Sequence, residues 1–183
     1  ENSELYEEEG IWPELRRTEA VRFAEELSQL LSEQPMISAS RVVPSTEFTS
    51  QVYVQAKINE SNGEDFDIDV KVIDITGRTR MEKNYDRRVG SYDDPRVVSR
   101  NKYVPFLQEV AEDINRQLER IRSSQKSEIV EIEKLRFAES FLPEDFSQHL
   151  RTNRRGRTSL VSMPADNDPM VERIELMRTR DLF

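Results

Sequence analysis

The sequence QVYVQAKINESNGEDFDIDVKVIDITGRTRMEKNYDRRV, residues 51–89, decides the fold. Apolar and polar residues alternate over 51–59 and again over 66–75, as they do in strands that bury one face and expose the other. Between these segments lies Ser61-Asn62-Gly63-Glu64, and Asn-Gly at the centre of a short connection favours a tight hairpin. The pattern therefore predicts two adjacent antiparallel strands.

A third strand is predicted on the far side of a second turn. Ile75-Thr76-Gly77-Arg78 has the composition of a turn, and Met81 and Tyr85 then share one face of the segment 80–89. A shorter segment, ISASRVV over 37–43, is predicted to add a fourth strand. We therefore expect a sheet of three to four strands that is mostly antiparallel.

Amphipathic helices flank these strands. The first begins at Pro13 and ends before Pro35, and the second covers 104–121, with apolar residues at helical spacing in both. A third ends before Pro143, and a fourth begins behind Asp168 as its N-cap. Helices that flank an antiparallel sheet predict an α+β fold. We expect a two-layer sandwich with helices packed on one face of the sheet, followed by a helical extension.

The predicted domain organisation follows from these elements. An α/β domain is expected over 11–122 and a helical extension over 123–183, with a basic loop or linker at 151–166. The acidic residues 1–10 are expected to be extended. The chain begins with Glu1 rather than Met, so we expect that a segment upstream was removed and that any signal peptide or lipid anchor lies there.

Composition excludes several classes of function. The net charge is −9, whereas binding duplex nucleic acid over a broad face requires a surplus of Lys and Arg. The absence of cysteine excludes disulfides, thiol nucleophiles, iron–sulfur clusters and cysteine-based zinc sites. No apolar run approaches the roughly 20 residues that span a bilayer. Neither a Walker loop nor a GxGxxG motif is present, so we expect no cofactor.

Motifs for catalysis or metal binding are weak in this sequence. The single histidine, His149, is expected at a solvated helix end rather than in a catalytic site. Asp65, Asp67 and Asp69 alternate along one strand, and this spacing predicts the solvated face of a sheet rather than a calcium loop. Trp12 is expected to pack against the first helix. The sequence thus predicts no catalytic and no metal-binding residues.

The candidates for binding a partner are the third helix and two polar surfaces. One is the open face of the sheet, which would present polar side chains from two strands. The other is a cluster of arginines near the C-terminus, which would contact an anionic group or an acidic surface. The candidate residues are Tyr53, Gln55, Lys57, Asp67, Asp69 and Lys71 on the sheet, and Arg151, Arg154, Arg155 and Arg157 in the cluster.

The meander resembles the central hairpins of a group of bacterial periplasmic and outer-membrane lipoproteins. The group includes the penicillin-binding-protein activator lipoproteins, the curli-secretion lipoprotein and the auxiliary lipoproteins of ABC-type transport. The matching segments are 52–58, 68–77 with its Asp-x-Thr-Gly sequence, and Tyr85 followed by two arginines. Gln55-Ala56 replaces the small residue or glycine that those proteins have in the first strand.

The resemblance implies an envelope protein, periplasmic and associated with the outer membrane through an anchor upstream of Glu1. It also implies that the protein binds other envelope proteins and performs no chemistry. Two alternatives stay open, namely a cytosolic adaptor or oligomerisation domain and a glycan-active enzyme that uses two carboxylates. The sequence indicates neither the oligomeric state nor the identity of the partner.

Overall fold

The computed structural model describes residues 13–46, 48–61, 65–88, 103–165 and 169–181. Several predicted features lie outside the described residues. They are the acidic segment 1–10, Trp12, the turn at Asn62-Gly63, and Asp168 as an N-cap.

The predicted helices are present. They are α1 (Pro13–Ser32), α2 (Val104–Glu119), α3 (Ser123–Phe141), the short α4 (Pro143–Phe146) with a 3-10 helix (Ser147–His149), and α5 (Pro169–Asp181). Prolines occupy the first turns of α1, α2, α4 and α5, where a missing N–H costs nothing. Pro143 restricts Leu142 before it, and α3 ends there.

Three antiparallel strands form the main sheet, in the order β1-β2-β3. They are β1 (Val52–Ser61), β2 (Asp65–Asp74) and β3 (Thr79–Arg88). In the central strand β2, Phe66, Ile68, Val70 and Val72 are buried, as the alternation predicts. Helices together with an antiparallel sheet confirm the α+β fold class.

The predicted fourth strand is wrong, because residues 37–43 have no strand pairing. This segment is held by side chains instead. The backbone N–H of Met36 donates to Asn115 Oδ1 at 3.1 Å, and the hydroxyls of Ser28 and Ser40 are 2.9 Å apart. Val42 is 48% exposed, so its β-branched side chain contributes no core contact that would favour a strand.

The described residues form two compact units. The first contains Glu1–Pro44, Ala56–Val70 and Lys83–Glu119, and its core is aromatic. Phe66 of β2 lies 4.6 Å from Phe23 of α1 and 5.1 Å from Phe106 of α2, measured between ring centroids. Edge-to-face and tilted pairs at such distances are favourable beyond the area that they bury. In this unit both helices therefore pack on the buried face of the sheet.

The second unit contains Ser45–Gln55, Lys71–Glu82 and Arg120–Phe183. One hydrophobic cluster in it is formed by the buried residues Leu135, Ala138, Phe146 and Ile174. Arg178 of α5 forms an ion pair of 2.5 Å with Glu133 of α3, where Glu133 is almost fully buried. The predicted domains at 11–122 and 123–183 stay a prediction.

The segment 151–166, predicted as a loop or linker, has no regular secondary structure over 153–157 and 161–165, but it contributes to a short hairpin. Two strands, β4 (Leu150–Thr152) and β5 (Thr158–Leu160), pair antiparallel there. Strands of three residues are too short to show an alternation. The residues that specify the turn between them are the only local sign of a hairpin.

Candidate functional site

The clearest candidate site is the hairpin 150–160, which we call the arginine hairpin. Its register places Arg151 opposite Ser159 and Thr152 opposite Thr158. The turn is specified by Asn153, whose side-chain oxygen accepts hydrogen bonds from two turn N–H groups, at 2.8 Å and 3.1 Å. Gly156 has a φ of 73°, a value that glycine adopts at no steric cost.

The four arginines of this hairpin all face solvent. Neighbouring residues of a strand point to opposite faces, and Thr158 is buried, so Arg151 and Arg157 lie on the outward face. Arg154 and Arg155 occupy the turn. Among the described side chains, none of these four arginines forms an ion pair with a carboxylate.

A fifth arginine, Arg136 of α3, holds the inward face of the hairpin. Its guanidinium donates to Thr152 Oγ1 at 3.1 Å and to Thr158 Oγ1 at 2.9 Å, and it also pairs with Glu139 at 3.1 Å. The two threonine hydroxyls are themselves 2.9 Å apart. The inward face is therefore fixed by polar contacts, while the outward face stays open.

The tip of the hairpin is also held by the β2–β3 turn. The N–H of Thr158 donates to the carbonyl of Thr76 at 2.9 Å. A Cβ at Gly77 would lie 2.3 Å from the carbonyl oxygen of Gly156, so only glycine permits this approach of two backbones. The position of the four arginines is consequently set by two turns that touch.

The β2–β3 turn is in turn organised by Asp74, whose side chain is fully buried. One carboxylate oxygen accepts hydrogen bonds from Thr76 N at 2.9 Å, from Thr76 Oγ1 at 2.5 Å and from Arg78 N at 3.1 Å. The other accepts from Arg80 Nε at 2.5 Å, and Arg80 also donates to Gln125. Both oxygens are thus occupied, which makes Asp74 a structural group. The sequence places Asp74 in a turn motif, but a single sequence gives no sign of this network.

On the sheet face of the first unit, two asparagines hold two aspartates in place. The Asn59 amide donates to Asp67 at 3.3 Å and to Asp69 at 2.9 Å. The Asn84 amide donates to the same carboxylates at 2.6 Å and 2.9 Å. The hydrogen bonds from Asn59 and Asn84 lower the pKa of Asp69, and the positive charge of Lys57 acts in the same direction. The candidate residues Lys57, Asp67 and Asp69 are therefore brought together.

The other sheet candidates lie in the second unit and do not form one cluster. The Tyr53 hydroxyl donates to the carbonyl of Phe48 at 3.0 Å and accepts from Ser50 N at 3.2 Å. Lys71 lies 3.6 Å from Glu82, and Gln55 is exposed. Tyr53 thus stabilises the chain before β1, and Gln55 is the candidate here that stays most open to a partner.

Two cavities in the second unit contain carboxylates, which catalysis by a pair of acids would require. One measures about 400 Å³ and is lined by Asp145 and His149, and the other measures about 260 Å³ and is lined by Glu139. Neither places two carboxylates face to face. His149 is half-buried at the end of the 3-10 helix, and its Nδ1 lies 2.9 Å from Ser162 Oγ. Among the described side chains, no carboxylate pairs with this ring.

A polar cluster around Asp113 in the first unit is structural as well. Asp113 of α2 receives hydrogen bonds from Lys83 at 2.6 Å, from Tyr85 at 2.8 Å and from Arg116. Burial by itself would raise the pKa of Asp113, but these hydrogen bonds outweigh it and the pKa is lowered. Burial, followed by the contact with Asp113, raises the pKa of Tyr85 above its usual range. A general acid at neutral pH needs a carboxyl group shifted upward, the opposite of this change.

Within the described ranges, no three His, Asp or Glu side chains come together in a way that would hold a metal ion. None of the described helices is both long and apolar enough to cross a membrane. Comparison with models of known protein families, with curated proteins and with solved structures finds no match to this chain.

Proposed function

We propose that this chain is a non-catalytic accessory protein of the bacterial cell envelope that binds other envelope proteins. The observation that carries the binding role is the arginine hairpin, with four exposed guanidinium groups that have no carboxylate partner among the described side chains. Its backbone is fixed by the contact of Gly77 with Gly156 and by the hydrogen bonds of Arg136.

A fixed set of exposed charges is more useful for recognition than for stability. The chain contains 36 Asp and Glu residues that could have paired with these arginines. Exposed cations instead select and orient a partner of opposite charge. Arginine is also enriched at protein interfaces, because its planar group makes several directed hydrogen bonds.

The envelope location is supported by the resemblance of residues 51–89 to periplasmic and outer-membrane lipoproteins. The β2–β3 turn, which belongs to that resemblance, has a defined structural role in this chain. Asp74 and Thr76 organise the turn through side-chain hydrogen bonds, and Gly77 allows the approach of the hairpin tip. The location and the lipid anchor remain proposals that rest on sequence.

The test is site-specific photo-crosslinking in the source bacterium, with the gene expressed at full length. A photoreactive side chain is placed at Arg155 on the hairpin tip or at Gln55 on the sheet, and at exposed Arg22 of α1 as the control position. We expect crosslinks to defined envelope proteins from Arg155, and none of the same mass from Arg22. The intact mass of the protein from membrane and soluble fractions is measured in parallel.

The outcomes separate the proposed function from its alternatives. A lipid-modified product in the membrane fraction, with crosslinks to envelope proteins, supports the proposal. Crosslinks to cytosolic proteins from a soluble, unmodified product would contradict it and favour the cytosolic adaptor. The absence of any crosslink that depends on position would contradict a binding role for both surfaces.

A further inference from the structure

The arginine hairpin is a concentrated positive charge on an acidic chain. The net charge is −9, yet Arg151, Arg154, Arg155 and Arg157 lie within seven residues of sequence and face solvent together. Like charges this close repel one another in the free protein, and the backbone contacts described above keep them in place. An anionic ligand would offset this repulsion between the arginines. The relief of the repulsion makes the free energy of binding an anion more favourable.

We propose that the arginine hairpin binds a short acidic segment of a partner protein, in which several Asp or Glu side chains follow one another. This inference rests on the proposed function and names the chemistry of its partner. A guanidinium group donates two parallel hydrogen bonds to one carboxylate. Arg151 and Arg157 on the outward face, with Arg154 and Arg155 in the turn, therefore offer binding positions for successive carboxylates.

The hairpin is already fixed before a ligand binds. Thr158 N is bonded to Thr76, both threonine hydroxyls to Arg136, and the turn N–H groups to Asn153. A preformed backbone pays less conformational entropy on binding than a loop that must become ordered. The cost that remains is the ordering of the arginine side chains themselves.

A membrane surface fits this hairpin less well. The turn, Asn153-Arg154-Arg155-Gly156-Arg157, contains no apolar residue that would insert between lipid headgroups. The exposed apolar residues nearby, Val161 and Met163, follow β5 at the opposite end of the hairpin from the turn.

Nucleic acid is disfavoured for related reasons. No aromatic side chain lies within the hairpin 150–160, and single strands are usually held by stacking of bases on aromatic rings. At physiological ionic strength the field of a charge decays over about 8 Å. A short acidic segment keeps its carboxylates within this range of the arginines that bind it.

The experiment measures binding of a fluorescent peptide of consecutive glutamates to the purified chain by fluorescence anisotropy. The same peptide with glutamines is the neutral control, and salt is varied from about 50 mM to about 150 mM. Phosphatidylglycerol vesicles and a single-stranded DNA oligonucleotide are tested as competing anions. We expect saturable binding of the glutamate peptide, weaker at higher salt, and no binding of the glutamine peptide.

Two charge-reversed variants separate the site from general electrostatics. R154E/R155E changes the hairpin tip, and R120E/R122E makes the same change in net charge at exposed arginines between α2 and α3. We expect about tenfold or greater loss of peptide affinity for R154E/R155E and a change within about twofold for R120E/R122E. Far-UV circular dichroism checks that both variants are folded.

Three results would overturn this inference. They are the absence of peptide binding, an equal loss in both variants, and tighter binding of vesicles or DNA than of the peptide. Failure here leaves the proposed function intact if Gln55 or Arg155 still crosslinks to envelope proteins. Conversely, peptide binding that depends on the hairpin, together with crosslinks to cytosolic proteins alone, would overturn the envelope function and leave the acidic ligand in place.

Discussion

Replacing Gly77 with alanine tests the contact between the two turns directly. The new Cβ would lie 2.3 Å from the carbonyl oxygen of Gly156, where ordinary contacts begin at 3.4 Å. The obstacle is backbone, which has no rotamer to move, so the hairpin tip must shift by about 1 Å. Such overpacking costs about 1–3 kcal/mol, and the Thr158–Thr76 hydrogen bond that is strained by it contributes about 1 kcal/mol.

A second term comes from the backbone conformation. Gly77 has a φ of 81°, and a left-handed conformation costs a residue with a Cβ about 1–2 kcal/mol. The total expected loss for Gly77→Ala is therefore about 3–6 kcal/mol of the free energy of unfolding. Urea unfolding followed by far-UV circular dichroism measures this loss by linear extrapolation.

Gly156→Ala is the matched control. Gly156 has a similar φ of 73°, but a Cβ there would meet nothing within 4 Å. Only the conformational term of about 1–2 kcal/mol applies, and both glycines lie in the same compact unit. If the two variants lose the same free energy to within about 0.5 kcal/mol, the close approach of the two turns does not exist and the fixed position of the arginine hairpin is refuted.

Three further predictions concern buried polar groups. Asp74→Ala leaves the Arg80 guanidinium without its ion pair, so we expect about 3–5 kcal/mol of destabilisation in the same urea assay; a loss below about 1 kcal/mol would contradict the network. Because the folded-state pKa of Asp113 is lowered, its stabilisation is complete above about pH 4 and is lost as the pH falls through the folded value. Asp113→Asn should therefore flatten the acid side of a stability–pH profile, and an unchanged profile would argue against these hydrogen bonds. The pKa of Tyr85 is raised, so its stabilisation is complete below about pH 10 and is lost as the pH rises through the folded value. In an absorbance titration of the tyrosines, Tyr85→Phe should remove a phenol whose pKa lies above the usual value of about 10. Loss of a phenol that ionises near pH 10 would be inconsistent with the burial of Tyr85.

The elements that could be predicted from sequence are those long enough to show a period. In β2, ten residues give five alternations. Every second residue from Phe66 onward, namely Phe66, Ile68, Val70 and Val72, is buried as the pattern requires. In α2, apolar residues recur through four turns, and seven of its residues are buried. Long amphipathic segments carry their own evidence, because burial of one face is what the pattern records.

Short elements could not be predicted in this way. The segment 37–43 contains three β-branched residues, yet the contacts at it come from residues distant in sequence: Asn115 accepts from the N–H of Met36, and the Ser28 hydroxyl contacts that of Ser40. The strands β4 and β5 contain three residues each, too few for any alternation. Asn153 and Gly156 were the available signal for that hairpin, since this spacing suits a turn with one left-handed residue.

The candidate site was predicted in part. The cluster of arginines is visible in the sequence, but the contacts that fix it involve Gly77, Thr76 and Arg136, which come from distant segments. Likewise, the carboxylates of Asp67 and Asp69 were expected on the open face, whereas their asparagine partners depend on strand register. Pairing across strands is a tertiary property that one sequence does not disclose.

The strand β2, with the sequence DFDIDVKVID, has a consequence for the chain before it folds. Its buried residues form a run of high β-propensity, the kind of segment that stacks into intermolecular sheets when exposed. The charged residues between them, Asp67, Asp69 and Lys71, act as gatekeepers, because stacked copies would bring like charges into register. The folded chain adds a second safeguard, since β2 is the central strand and both of its edges are paired. The same carboxylates that form the open face thus protect the newly made protein from aggregation.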